Sequence, residues 1–180
     1  LPGETFDSHI AGLFTLVNTK VDRVFSHTLQ LLHGTPYKDN HTYRKENEFI
    51  VKYRLVPADF SIVNSVPIFD VEEVAVGTSK MTFDEYRNAR FYALIIDLAF
   101  NINAVKPFIK LLDCNNIKIS KLIELMYNRC SNPIPKLQPI FDSFKSDTTN
   151  ELWDSESELV AFYSQESNLE RLRRGDIGVN

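Results

Sequence analysis

The sequence predicts a mixed chain: an α/β opening of the kind that parallel folds use, then two short strands, then a run of helices, so that the whole is α+β. Three observations carry this. Residues 1–37 read as loop, helix, buried strand and loop. Residues 49–78 hold two strand-like stretches whose limits are marked by Pro57, Pro67 and Gly77. From Met81 onward, apolar residues recur at helical spacing.

The elements follow in order. Pro2 and Gly3 fit neither a helix nor a strand interior, so the chain enters as a tight turn. Thr5 is placed to cap a helix, and Asp7 lies in its first turn, where the helix dipole favours a negative charge. Phe6, Ile10, Leu13, Phe14 and Val17 form one face of that helix. Val24–Leu32 lacks a helical stripe and is expected to be a largely buried strand, stopped by Gly34, Thr35 and Pro36. The polar stretch 38–48 is expected to be a connector with at most a short helix. Phe49–Val56 and Val71–Thr78 are expected to pair as strands, with 59–67 a loop between them.

Thr82 and Glu85 have the spacing of a capping box, and Phe91, Leu94, Ile95, Leu98 and Ile102 form one stripe. A shorter helix is expected over 105–112. Ser120 is expected to cap the next, with Leu122, Ile123, Met126, Tyr127 and Cys130 inward. Pro133 and Pro135 open a segment in which Leu137, Ile140, Phe141 and Phe144 form one apolar face. Ser155 and Glu158 repeat the capping-box spacing ahead of Leu159, Phe162 and Tyr163. Leu169 and Leu172 lead to Gly175, a natural C-cap.

Composition narrows the function. A net charge of −4 supplies no basic footprint for nucleic acid, and no nucleic-acid partner is expected. The most apolar run, Phe91–Ile102, is interrupted by Asp97 and Asn101 and is far shorter than the ~20 residues a membrane helix needs, so no membrane partner is expected. Two cysteines make no disulfide framework; buried thiols in the cytoplasm are expected. His9, His27, His33 and His41 show no i, i+4 pair and no ligand spacing, so no metal site is expected on this chain. Hydrolase elbows, phosphate loops and dinucleotide fingerprints are absent.

The opening carries a resemblance. Leu1-Pro-Gly-Glu-Thr5, a helix, and a strand closing in Leu31-Leu-His-Gly-Thr-Pro36 resemble the late part of a radical S-adenosylmethionine barrel. Tyr53-Arg-Leu-Val-Pro57, Glu72-Glu-Val-Ala-Val-Gly-Thr78, Met81-Thr-Phe-Asp-Glu-Tyr-Arg87 and Arg90 resemble the region after the barrel in members that also carry a cobalamin-binding domain. The resemblance implies that the opening is the final βα/β segment of a partial TIM-like (β/α)6 barrel. It implies an enzyme that reductively cleaves S-adenosylmethionine at a [4Fe-4S] cluster to give a 5′-deoxyadenosyl radical. With cobalamin as a further cofactor, the outcome it implies is methyl transfer to an unactivated carbon. The family's Cys-x-x-x-Cys-x-x-Cys loop is missing here, where Cys114 and Cys130 stand far apart. The chain is therefore expected to be the carboxyl-terminal part of a longer enzyme, inactive alone, with the missing amino-terminal part and an unknown small-molecule substrate as partners.

In parallel folds function gathers at the carboxyl ends of strands. The resemblance accordingly implies cofactor contacts at Pro2, Gly3 and Glu4, and at Gln30 with the backbone of Leu31 and Leu32; a strand phase shifted by one residue would turn His27 inward in place of Gln30. His33, at the same rim, and Arg44, in the polar patch that follows, are the candidate substrate contacts. Arg54, Arg87 and Arg90 could anchor anions, but Asp84 and Glu85 stand in ion-pairing range of the last two. Glu72 and Glu73 are adjacent on a strand, point to opposite faces and cannot act as a dyad. The expected domains are 1–40, the barrel's closing segment; 41–80, the stranded connector; and 81–180, the helical part. The competing expectation is a non-catalytic helical interaction or regulatory module.

Overall fold

The computed structural model describes residues 2–19, 21–130 and 135–178. In chain order these hold α1 (Phe6–Val17), β1 (Leu29–Gln30), α2 (Pro36–Asp39), α3 (His41–Glu46), β2 (Ile50–Val63), β3 (Val66–Gly77) and α4 (Phe83–Ile96). A π-helical turn (Asp97–Asn101) and a 3-10 turn (Asn103–Val105) follow. Then come α5 (Lys106–Cys114), α6 (Ile119–Cys130), α7 (Gln138–Asn150), α8 (Glu156–Tyr163) and α9 (Glu166–Arg174). The chain is thus mixed α and β, with its strands ahead of most of its helices.

Two compact units form, and both are discontinuous, whereas three successive stretches were expected. The first takes Pro2 with residues 28–79 and 147–178; the second takes 3–27, 80–130 and 135–146.

The first unit is built on a three-stranded sheet in the order β1-β3-β2, antiparallel throughout. This corrects two expectations. The strand over 24–32 shrinks to Leu29–Gln30 and pairs antiparallel with Val74–Ala75, so among the described residues no parallel ladder forms. The loop over 59–67 is strand: β2 and β3 make one long hairpin closed by Asn64 and Ser65. Both turn residues have positive φ, 51° and 66°, which matches the right-handed twist of the flanking strands. Pro57 is tolerated because the register slips between Leu55 and Phe60, a bulge where no ladder bond is required of it.

Leu55 of β2 packs with Leu159 and Tyr163 of α8 and Leu172 of α9. Trp153 joins the edge, exchanging backbone hydrogen bonds with Tyr53 at 2.9 and 2.8 Å. Ser155 caps α8 by accepting from the Glu158 N–H, and Gly175, at φ 74°, closes α9. Gly178 is buried at φ 69°: a side chain there would strain the backbone, and its Cβ, 2.8 Å from Leu172 Cδ1, would push that leucine aside.

The second unit is helical. Val17, Phe91, Ile95, Ile96 and Ile123 are its most buried side chains, drawn from α1, α4 and α6, and Phe141 of α7 joins them. Thr5 caps α1 with Ser8 as its reciprocal partner, and Thr82 and Glu85 form the expected box on α4. The Thr82 N–H and hydroxyl hold the Glu85 carboxyl below its usual range, so the carboxylate half of this cap is complete at neutral pH and weakens as acid protonates Glu85, while the Glu85 N–H bond to the Thr82 hydroxyl stays.

Four expectations about this unit change, the first on α7, where Phe141 is buried but Leu137 and Ile140 are 40% and 60% exposed. The stripe Phe91, Ile95 continues inward to Ala99 and Phe100, while Leu98 and Ile102 are exposed. The π turn after Ile96 inserts an extra residue into the helical repeat and rotates those two side chains outward. Ser120 is not the N-cap of α6: it lies inside the helix, its N–H donating to Asn18 Oδ1 and its hydroxyl accepting from Asn18 Nδ2, so the cap comes from the end of α1. Cys114 is an exposed free thiol, where a buried one was expected. The Cys130 side chain and Pro133 lie outside the described residues.

Val24 shows why the long strand does not form. Its N–H and C=O are both taken by one side chain, Asn101, at 3.0 and 2.8 Å. The amide serves as a one-residue strand partner, and Asn101 sits where it does because the π turn places it there.

Two measurements follow. Ile95→Ala should cost about 3 kcal/mol in urea unfolding, the price of a fully buried cavity, whereas Leu98→Ala should cost under about 1 kcal/mol. Equal losses would contradict the π-shifted phase. Tyr92 stacks on Tyr127, centroids 3.8 Å apart and planes 9° from parallel. Burial, reinforced by Tyr127 and Glu124, pushes the Tyr92 hydroxyl up to about 12. A raised phenol contributes stability that is complete below the unfolded value near 10 and is lost as pH climbs toward 12. Burial also pushes the Tyr163 hydroxyl up to about 12, so tyrosinate absorbance should show a late-titrating phase that loses amplitude in Tyr92→Phe and persists through Tyr163.

Candidate functional site

Within the first unit, the exit of β1 gathers most of the residues singled out from sequence. Gln30 pairs with Val74 through its backbone and leaves its side chain exposed. The Leu31 side chain is buried and its N–H donates to the Glu73 carbonyl at 2.8 Å. Leu32 is exposed, and its carbonyl accepts from both the N–H and the hydroxyl of Thr35, at 3.2 and 2.6 Å. The Leu31 amide and Leu32 carbonyl are thus already used inside this chain.

The chain then turns sharply. Gly34 takes φ 85° with open space around its α-carbon, so glycine is needed for the backbone angle and not for room. Asp39 stabilises the turn from α2: its carboxylate accepts from the Gly34 N–H at 2.6 Å and stands 3.4 Å from His33 Nδ1. His33 is 87% exposed at the side chain, where it can meet a solute.

Arg44 is placed differently from a free substrate contact. Glu73, only 6% exposed at its side chain, pairs with Lys38 and, at 2.7 Å, with Arg44 Nη2; Arg44 Nη1 donates to the Lys38 carbonyl at 3.4 Å. One buried carboxylate on the central strand therefore holds α2 and α3 over the sheet, leaving the trio with one net positive charge. On the opposite face, Glu72 accepts from Arg54 Nε and Nη2 at 3.1 and 2.9 Å. The reading that the two glutamates face apart is met by two separate ion pairs. Arg87 pairs with Asp84 on the surface of α4 at 2.6 Å, one turn apart as expected.

The remaining candidates belong to other surroundings. Pro2 is half-buried. In the second unit, Gly3 is exposed at φ 85° with nothing near an added Cβ, so it too serves the turn. Glu4 Oε2 lies 3.5 Å from His9 Nδ1, and His9 Nε2 lies 3.2 Å from Ser26 Oγ. This Glu4–His9–Ser26 line was not foreseen. Its only signal in the sequence is that Glu4 and His9 share one end of α1; the arrival of Ser26 depends on the path after the helix. The arrangement orients the imidazole and ties the segment after α1 back to it. Among the described residues no group of three or more His, Cys, Asp or Glu side chains could hold a metal ion. No single helix among them is long and apolar enough to cross a membrane.

Breaking the buried pair should be costly because it strands charge. Glu73→Ala is expected to lose about 3 kcal/mol of stability, while Asp84→Ala, which removes an exposed pair, should stay within about 0.5 kcal/mol. Chemical denaturation of the two variants distinguishes a structural Glu73 from a dispensable one.

No protein-family model matches the chain, and no curated protein matches it.

Proposed function

We propose that this chain is the carboxyl-terminal part of a cytoplasmic radical S-adenosylmethionine enzyme of the cobalamin-binding kind, with methyl transfer to an unactivated carbon as its reaction. One observation carries the reading: the segments that resemble the family occur in the family's order from Leu1 to Arg90. The backbone supports it. The glycines of both opening motifs, Gly3 and Gly34, adopt left-handed angles, each followed within two residues by a threonine at a helix N-cap.

The chain does not itself fit the iron–sulfur cluster. Three cysteinates are required, and the sequence has two cysteines, far apart. The cluster belongs to the missing amino-terminal part, and no step through it involves residues described above. The parts of this chain proposed to meet S-adenosylmethionine are, in the first unit, the strand end Gln30–Leu32. The Pro2–Gly3–Glu4 turn is proposed as cofactor wall on its own account. His33, exposed and oriented by Asp39, is the substrate contact; Arg44 contributes by fixing α3 through Glu73. In this reading the partial (β/α)6 barrel is completed by the upstream part, with 1–40 as its closing segment.

A second reading, a non-catalytic interaction module, is favoured by one observation: β1 pairs antiparallel within this chain, and each unit closes its own core. The coding sequence upstream of Leu1 separates the two. The enzyme reading expects an in-frame Cys-x-x-x-Cys-x-x-Cys roughly a hundred residues upstream, at about 30 residues per strand–helix unit. The extended protein, reduced anaerobically with S-adenosylmethionine, should release 5′-deoxyadenosine. An initiator Met directly before Leu1, with no such cysteines, would sink the enzyme reading and leave the module.

A further inference from the structure

The second unit carries an exposed surface that neither reading uses. α5 turns Ile109 toward the core and leaves Phe108 and Leu111, one turn apart, 47% and 57% exposed. Ile117, in the turn that ends the helix, is 47% exposed. The exposed Leu98 and Ile102 precede α5 in the chain. Globular proteins scatter single apolar residues on their surfaces; a concentration of them within one helix and its flanks marks a contact site.

The charge around these side chains identifies the contact. Residues 105–121 contain four lysines and one acid, Asp113, a local charge of +3 in a chain of net −4. Lys106 is engaged, donating to the Asp22 carbonyl at 2.6 Å and lying 4.4 Å over the Phe100 ring, and Lys121 pairs with Glu124 at 2.8 Å. Lys110 and Lys118 are exposed and, among the described residues, have no ion-pair partner. Two copies of this surface face to face would oppose like charges. A phosphate-rich polymer would satisfy the lysines and leave the aliphatic side chains in water. An anionic bilayer surface satisfies both, since apolar side chains enter the acyl boundary while the ammonium groups stay among the headgroups.

We propose that α5 and the turn after it form a peripheral docking surface for anionic lipid bilayers. The expectation of no membrane partner rested on the lack of a spanning helix, which surface adsorption does not need. The proposal stands apart from the enzyme reading, because adsorption needs no upstream sequence.

The test is co-sedimentation of the 180-residue chain with phosphatidylcholine vesicles, pure or with roughly one lipid in three replaced by phosphatidylglycerol. Binding is expected only to the anionic vesicles and should weaken with salt. Phe108→Ser with Leu111→Ser, and separately Lys110→Glu with Lys118→Glu, should each reduce it by about tenfold or more. Val66→Ser with Ile68→Ser, at the exposed tip of the β2–β3 hairpin, should leave it unchanged. Three results would overturn the proposal: no binding to anionic vesicles at low salt, binding that both α5 variants retain, or self-association abolished by the serine pair without vesicle binding, which would assign the surface to a second copy.

Discussion

Glu73 is the point on which the first unit turns. Its backbone carbonyl receives the Leu31 amide, its side chain binds Lys38 and Arg44, and its residue pairs with Tyr53 across the hairpin. A carboxylate this buried is tolerated only with partners, and both partners come from short helices that could not hold themselves. α2 and α3 are each too short to be stable alone, and neither buries a side chain fully. Their position over the sheet rests on the ion pairs and on the aromatic group of Tyr37, Tyr43 and Phe49. The turn carrying His33 inherits its placement from this arrangement, because Asp39 at the end of α2 is what binds the Gly34 amide.

The helical unit depends on a different device. Asn101 and Asn18 are amides doing the work of secondary structure: one clamps the extended backbone at Val24, the other caps α6 from the end of α1. Each supplies both a donor and an acceptor to a distant segment. Neither interaction has a sequence signature, since an asparagine on a helical surface reads as solvated.

What could be read from sequence divides along this line. Local devices were legible: the Thr5 and Thr82 caps, the Gly175 terminator, the opposed Glu72 and Glu73, and the faces of α1 and α4 up to Ile96. Each depends on residues within a turn or two of one another. The failures involve partners far away in sequence or a change of period. The strand over 24–32 was drawn off by Asn101. The Leu98 and Ile102 positions were reversed by the π turn, and the loop over 59–67 became strand through the Asn64–Ser65 turn. For the candidate site, the exposed His33 turn was legible. The engagement of Arg44 with Glu73 was not, because an arginine on a short helix gives no hint of a buried acid 29 residues on.

The discontinuity of the first unit has a kinetic consequence. Lys52 on β2 meets Asp154 across 102 residues of sequence, and the edge pairing of Tyr53 with Trp153 closes a loop of similar size. During synthesis the β2–β3 hairpin emerges well before α8 and α9 exist to cover Leu55, and the helical unit must be made in between. The hairpin therefore waits with one face bare, and the closing step carries the entropy of a long loop. The last helices of the chain are the ones that end that exposure, so a ribosome stalled before Leu159 would present a sticky ribbon to any chaperone or neighbouring strand.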